Sequence, residues 1–156
     1  MENNFFKSKI LKKECEMGRK RLKGELVNLK NYRHSYYSLK YNLILVTKDN
    51  KECITKEIEN KLDQIFTELI ENRNGVVKEL HSKKNFIYLH FELPANLNLA
   101  DFITNFKTVS SRLIRKDFKE HLEKFYEKGG FWSENYCIFT EREKLTEYLD
   151  EFFSLI

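Results

Sequence analysis

The chain has 156 residues, of which 41% are hydrophobic and 33% charged, with one Pro and five Gly, and this is the size and composition of one folded domain. No apolar run reaches the roughly 18 residues that a membrane helix needs, and charge interrupts the N-terminal stretch, so we expect a cytoplasmic protein without membrane contact. Three widely spaced cysteines without a CxxC pair argue against a disulfide framework and a cysteine zinc site.

The positive charge lies in the N-terminal part of the chain. Residues 1–34 hold ten Lys and Arg against four Glu, a net of +6, and the remainder carries a net of −2. Apolar residues recur at loosely helical spacing up to residue 30. We therefore predict a basic helical extension over residues 1–34, followed by a domain over 35–156. A basic segment on a neutral domain suits nucleic acid, and a solvated helix without a partner is the alternative.

The first half of the domain predicts a strand and a helix. Residues 36–47 (YYSLKYNLILVT) are rich in aromatic and β-branched side chains and precede the turn-like pair Asp49-Asn50, which is typical of a central strand. Thr55 is suited to cap a helix, and Gly75 is suited to close it. The apolar face of this helix is predicted to comprise Ile58, Leu62, Ile65, Phe66, Leu69 and Ile70.

The second half predicts a hairpin, a helix, a strand and a terminal helix. Strands over 76–81 and 86–93 are joined by a polar turn, and a second helix follows Pro94. Gly129-Gly130 precedes a fourth strand, FWSENYCIF. The terminal helix presents Leu145, Tyr148, Leu149, Phe152, Phe153 and Ile156 at amphipathic spacing.

The order β-α-β-β-α-β-α predicts an α+β fold. One antiparallel sheet with packed helices, a ferredoxin-like (RRM-like) core, accommodates this order. Many RNA-binding and replication-initiator domains share the topology, so it does not select a function by itself.

Four blocks of sequence resemble the insertion-sequence and REP-associated single-tyrosine transposases of the HUH family. The first is the aromatic strand that ends in V-T-K, HSYYSLKYNLILVTK, and the second is NFIYLHFELP. The third, LADFITNFKTVSSRLIRKDF, contains K-T-V-S-S-R, and the fourth is FWSENY followed by EYL. The blocks stand in the family's order and span about three quarters of the chain. The resemblance implies the family's fold and a homodimer formed through the sheets.

The resemblance also implies a lost active site. In that family two histidines on a central strand bind a divalent metal, a tyrosine on the last helix attacks the phosphorus, and a glutamine four residues later completes the metal site. Counting back from Pro94 puts Phe86 and Tyr88 at the histidine positions. Tyr148 falls at the nucleophile position and Phe152 at the glutamine position. These side chains are unsuited to Mg²⁺ or Mn²⁺, so we expect no metal, no other cofactor and no catalysis.

An alternative register would retain one histidine, because Tyr88-Leu89-His90 is half of the motif. In the predicted hairpin, His81 lies opposite Phe86 and about 13 Å along the strand from His90, so a two-histidine site is not expected. The face that carries Phe86, Tyr88 and His90 is either covered by a helix or serves as a platform on which an unpaired base stacks.

The nucleophile position has a second interpretation. Tyr148 shares an apolar stripe with Leu145 and Leu149, which is typical of a packing role. The loop between Tyr136 and Tyr148 is about three residues shorter than the family pattern and lacks its Ser-x-Gly turn. This shortening puts in doubt both the position of Tyr148 and the exchange of its helix between subunits.

Cations that suit phosphate contacts occur in three places, and those on the second helix lie largely off its apolar stripe, toward solvent. The predicted contacts are Lys107, Arg112, Arg115 and Lys116 on the second helix, Arg19, Lys20, Arg21 and Lys23 in the extension, and Lys48 after the first strand.

The sequence thus predicts a transposase-derived, catalytically inactive protein that binds a structured single strand, either hairpin DNA or folded RNA, in a regulatory role. One alternative is an active transposase with a non-standard metal site. Another is a module for dimerisation or protein interaction.

Overall fold

The computed structural model describes residues 29–156, whose strands form a four-stranded sheet and a separate two-stranded hairpin. The strands are β1 (Lys30–Tyr32), β2 (Ser35–Tyr37), β3 (Lys40–Thr47), β4 (Val76–Ser82), β5 (Phe86–Glu92) and β6 (Trp132–Phe139). The helices are α1 (Lys56–Glu71), α2 (Leu99–Asp117), α3 (Lys119–Leu122) and α4 (Leu145–Leu155). The larger sheet has the order β4-β5-β3-β6 with every neighbouring pair antiparallel, and the predicted ferredoxin-like α+β core is confirmed.

Local sequence signals position both long helices. The Thr55 hydroxyl accepts a hydrogen bond from the Ile58 amide at the start of α1. The Asn98 side chain caps α2 by accepting from the amides of Ala100 and Asp101. Gly75 follows α1 because a Cβ there would lie 2.5 Å from the Glu92 carbonyl oxygen.

The main core lies between one sheet face and the helices α1 and α2. Leu43 and Leu45 of β3 alternate with side chains on the opposite face, and they pack with Ile87 and Leu89 of β5. The two helices meet through stacked rings of Phe66 and Phe106, whose centroids are 4.0 Å apart.

The other sheet face is covered by α4. Ile44 and Val46 of β3 and Tyr88 of β5 form a second buried cluster with Phe139 and Phe152. Helices therefore pack on both faces of the sheet, and none of the helices within residues 29–156 is long and apolar enough to span a bilayer.

The first strand differs from the prediction. Residues 36–47 do not form one strand, because the chain breaks after Tyr37 and β3 begins at Lys40. β2 instead pairs with β1, which includes Lys30–Tyr32 inside the stretch assigned to the helical extension. The helix predicted for that extension is therefore wrong for Lys30–Tyr32, and its remainder over residues 1–28 lies outside the described residues. We call the hairpin Lys30–Tyr37 the arm.

Candidate functional site

The metal-ligand positions of the resemblance lie on the sheet face beneath α4. Phe86 and Tyr88 both project from β5 toward this helix, and the Phe86 ring packs edge-on against Phe153 with centroids 5.3 Å apart. Tyr88 is 4% exposed and Phe152 is 8% exposed. His90 continues the same row and is also buried. The helix thus closes this face, and the alternative of a base-stacking platform on Phe86, Tyr88 and His90 does not fit this packing.

A hydrogen-bond network centred on Asn42 occupies this face. The Tyr88 hydroxyl donates to Asn42 Oδ1 at 2.8 Å, and His90 Nδ1 lies 2.9 Å from the same oxygen. An amide oxygen only accepts, so His90 carries its proton on Nδ1. Asn42 Nδ2 donates to the Phe139 carbonyl oxygen at 3.2 Å. The fully buried Asn42 therefore joins β3 to side chains of β5 and to the backbone of β6.

Burial sets the protonation of this network. Desolvation lowers the pKa of His90 below its ordinary value, and the nearby Arg142 guanidinium lowers it further. Desolvation also raises the pKa of Tyr88. Because both shifts favour the neutral forms, the network consists of neutral hydrogen-bonding groups at neutral pH.

An ion pair extends this network toward α4. Arg142, in the short turn between β6 and α4, pairs with Glu79 of β4. It also approaches the Tyr88 hydroxyl, and its partners, Glu79 above all, raise the pKa of the guanidinium. The pair holds the turn that leads into α4 against the edge of the sheet.

The hairpin register differs from the prediction for His81. His81 pairs with Tyr88 rather than Phe86, and Glu79 pairs with His90. The His81 and Tyr88 rings stack with centroids 6.2 Å apart. The tight turn after Ser82, which pairs with Ile87, places His81 only two residues along the strand from His90. Even so, residues 29–156 contain no group of three or more His, Cys, Asp or Glu side chains arranged to hold a metal ion.

Tyr148, at the nucleophile position, packs against the sheet. Its ring stacks on Phe139 with centroids 4.3 Å apart, and it lines a cavity of about 200 Å³ with Cys137, Glu151 and Phe152. Only residues 140–144 connect β6 to α4, so the helix docks on its own sheet. The packing interpretation of Tyr148 accounts for these contacts.

Lys107 is the first cation of the predicted basic surface. Its side chain was expected to extend into solvent, and the structure differs from that expectation. It is half-buried, its Nζ donates to the Glu134 carbonyl oxygen at 2.8 Å, and the same atom lies 5.4 Å from the centroid of the Tyr136 ring. Burial lowers its pKa. Lys107 differs from the prediction because α2 packs beside β6, and the long lysine side chain reaches across to that strand.

Arg112, Arg115 and Lys116 line a depression of about 360 Å³ at the C-terminal end of α2. Arg112 and Lys116 are exposed, whereas Arg115 is partly buried. Its Nη1 atom is inaccessible and has no hydrogen-bond partner among the described residues. Sequence reasoning missed Lys119, which enters the same depression from α3; the basic pattern Arg115-Lys116-x-x-Lys119 was the available signal.

A second depression of about 360 Å³ adjoins the first through Arg112. It is lined by Lys107, Ser111 and Trp132, among others, and follows the seam between α2 and β6. We call the two depressions together the basic groove. Glu123 and Glu127 also line the first depression, and Glu123 pairs with Lys119 at 3.7 Å.

Lys48 lies at the same end of the sheet as the basic groove. Its amide donates to the Phe131 carbonyl oxygen, and the Phe131 amide donates to Ser111 Oγ, both at 2.9 Å. The Lys48 side chain runs close to Gly129, whose φ of 105° favours glycine. The structure thus brings Lys48 near α2, while Arg19, Lys20, Arg21 and Lys23 lie outside the described residues.

Comparison with known proteins gives a family and a fold. A sequence model of the family described as IS200-like transposases matches residues 35–152. None of the curated proteins matches the chain.

Among solved structures, a protein of Deinococcus radiodurans R1 considered to be a transposase superposes with a TM-score of 0.73 at 22% identity over 80% of this chain and 95% of that one. A REP-associated tyrosine transposase bound to a REP hairpin gives 0.45 at 9% identity, over 78% of this chain and 68% of that one.

Proposed function

Since the chain belongs to the IS200-like transposase family, we propose that it is a transposase-derived, catalytically inactive protein that binds a structured single strand, hairpin DNA or folded RNA. The observation that carries the proposal is the basic groove, in which four Lys and Arg side chains line one depression at the C-terminal end of α2. In this function the protein has lost the reaction and has retained binding.

Loss of the reaction follows from the chemistry of the former metal positions. Phe86 and Phe152 offer no lone pair to a cation, and the Tyr88 hydroxyl is committed to Asn42. Phosphoryl transfer by a tyrosine depends on charge stabilisation at the scissile phosphate. Phe86, Tyr88 and Phe152 do not supply metal ligands, and α4 packs over this face. The sheet therefore offers Tyr148 no group that would stabilise charge on a scissile phosphate.

Retention of binding follows from the cations of the basic groove. Arg112, Arg115, Lys116 and Lys119 line one depression, where a phosphate would contact several cations together. The second depression continues past Arg112 along the seam with β6, so a backbone could follow the groove over several phosphates. Phosphate contacts need only suitably placed cations, and they can persist after catalysis is lost.

The first experiment measures binding and cleavage on the same hairpin oligonucleotide, as DNA and as RNA. We expect the affinity of the purified protein to fall steeply between about 50 and 200 mM salt. We expect no nicking with Mg²⁺ or Mn²⁺. Nicking that disappears in Tyr148→Phe would contradict inactivity, and no hairpin binding at low salt would favour the protein-interaction alternative.

A charge-matched comparison assigns the binding to the basic groove. Arg112→Gln together with Arg115→Gln removes two cations from the groove, and we expect at least tenfold weaker binding of a blunt hairpin. Arg73→Gln combined with Lys78→Gln removes the same charge outside the groove, in the turn after α1 and on β4. Equal losses for the two double variants would mean that net charge, rather than the groove, drives the association.

The resemblance also supports a homodimer, and we include in the proposal a homodimer, a cytoplasmic location and a regulatory role. Light scattering of the purified protein at micromolar concentration tests the dimer. Fractionation of the native cell, followed by sequencing of the nucleic acid that co-purifies, tests the location and identifies the ligand.

A further inference from the structure

The arm stands apart from the rest of the fold. Its two strands pair only with each other, Lys30 with Tyr37 and Tyr32 with Ser35, and they are not part of the larger sheet. The base of the arm is held by an ion pair of 3.1 Å between Lys30 and Glu92. A two-stranded hairpin has little stability of its own in water, so this one depends on its anchor and on whatever it contacts.

Charge and aromatic side chains are combined on the arm. Residues 29–48 contain two Lys besides Lys30 and Arg33, and no Asp or Glu. Tyr36 is 72% exposed, and His34 and Ser35 beside it are exposed too. An exposed aromatic ring on a segment that carries cations and no carboxylates complements the bases and phosphates of an unpaired nucleic acid strand.

The tip of the arm carries a backbone conformation that glycine or asparagine adopts more readily. Arg33 has a φ of 54° in the two-residue connection between β1 and β2. An arginine here places a long cationic side chain at the end of the hairpin. Strained residues of this kind are concentrated at functional sites, because elsewhere a less strained residue would serve the turn equally well.

The arm and the basic groove lie at opposite ends of β3. The arm leads directly into Lys40, whereas Lys48 is linked through Phe131 to Ser111 of α2. Eight residues of strand separate the two ends, roughly 26 Å at about 3.3 Å per residue. One helical stem seated in the groove would therefore leave the arm to contact a flanking segment.

We propose that the arm is a second nucleic-acid contact, in which the ring of Tyr36 stacks on an unpaired base. This contact goes beyond the proposed function, because it selects ligands in which a single-stranded segment adjoins the hairpin. The chemistry of the site favours no particular base, since every base presents a π-face.

The test compares three labelled DNA probes by fluorescence anisotropy. They are a blunt hairpin, the same hairpin with an extension of about ten thymidines at either end, and the thymidine strand alone. We expect the extension to tighten binding of the wild-type protein about tenfold. Tyr36→Ala should reduce this gain to less than about threefold, and Tyr36→Phe, which retains the ring, should keep it.

Leu155→Ala is the matched control, because Leu155 is 75% exposed and its replacement removes apolar surface outside the arm. A full extension gain in Tyr36→Ala, or binding of the blunt hairpin without any gain in the wild type, would overturn the arm contact while leaving the proposed function standing. Binding of the thymidine strand without the hairpin would overturn the proposed function and support the arm. Binding of neither would overturn both.

Discussion

The Tyr88 hydroxyl donates a 2.8 Å hydrogen bond to Oδ1 of Asn42, a residue 46 positions earlier in the chain. The bond lies at a position where the family resemblance implies a metal-binding histidine. The Tyr88 side chain thus links β5 to β3 and stabilises the sheet. The strength of this bond therefore measures how much this face of the sheet contributes to stability.

Removing either partner of that bond should destabilise the fold by different amounts. Tyr88→Phe removes one donor and leaves His90 on the Asn42 oxygen, so we expect a loss of about 1 kcal/mol in the free energy of unfolding. Asn42→Ala leaves both donors buried without an acceptor, and we expect about 3 kcal/mol. Urea unfolding of both variants gives the comparison, and equal losses would contradict the network.

Stability should also depend on pH through His90. Its pKa in the folded protein is lowered from 6.5, so folding favours the neutral ring. The contribution of this ring is therefore fully present above about pH 6.5 and is lost as the pH falls toward the folded pKa. The charged groups that face it are Arg142, Glu79 and Lys40. The pKa of Arg142 is raised and that of Glu79 is lowered by their ion pair, so both keep their charge over that range.

Urea unfolding at several values between about pH 7.5 and 5.5 measures the effect. We expect the free energy of unfolding to decrease across this range and the decrease to be smaller in His90→Gln. His34→Gln is the control, because His34 is exposed on the arm. A decrease that His34→Gln removes and His90→Gln retains would show that His90 is not the titrating group.

The elements that sequence predicted well are those whose side chains repeat at a regular period. Thr55, Asn98 and the apolar stripes that follow them specify α1 and α2 locally. The arm was missed because its tyrosines read as a continuation of the next strand. The basic segments were read from charge alone, which cannot show that Lys107 reaches across to β6.

The site network depended on contacts distant in sequence. Asn42 meets Tyr88 and the Phe139 backbone across separations of 46 and 97 residues, and no local pattern records such pairs. The register of His81 was missed for a different reason, because it depends on how many residues the turn uses. The Asn42 network and the register of His81 both depend on how the strands align in the sheet, which residue type alone does not specify.

Arg142 should control local opening of α4 more than global stability. Its ion pair with Glu79 is half-exposed, so we expect Arg142→Ala to change the free energy of unfolding by less than about 1 kcal/mol. Amide exchange within residues 145–155 should nevertheless become faster, because the turn before the helix loses its attachment to β4. Hydrogen-exchange mass spectrometry measures this.

Two further variants make that measurement specific. Glu79→Gln should reproduce the faster exchange, since it removes the same pair from the other side. Lys144→Ala should not, because Lys144 pairs with Glu141 inside its own turn. Faster exchange in all three variants would indicate general loosening of the turn and would exclude a role specific to the Arg142 pair.

Arg115 should contribute more to hairpin binding than its exposed neighbour Lys116. Its side chain is partly buried and therefore more confined than that of Lys116, so a phosphate in the depression costs less side-chain entropy when it contacts the guanidinium. We expect Arg115→Gln to weaken binding at least tenfold and to reduce the salt slope by about one. Lys116→Gln should reduce the slope similarly but weaken binding only about threefold.

Arg115→Lys separates charge from geometry at this position. A lysine keeps the charge but lacks the planar fork, so the salt slope should be retained while the affinity falls. Thermal unfolding supplies the control for folding: Arg115→Gln removes a buried donor without a partner and should not lower the melting temperature. A lowered melting temperature together with unchanged hairpin affinity would show that Arg115 supports the α2 end structurally and does not contact the ligand.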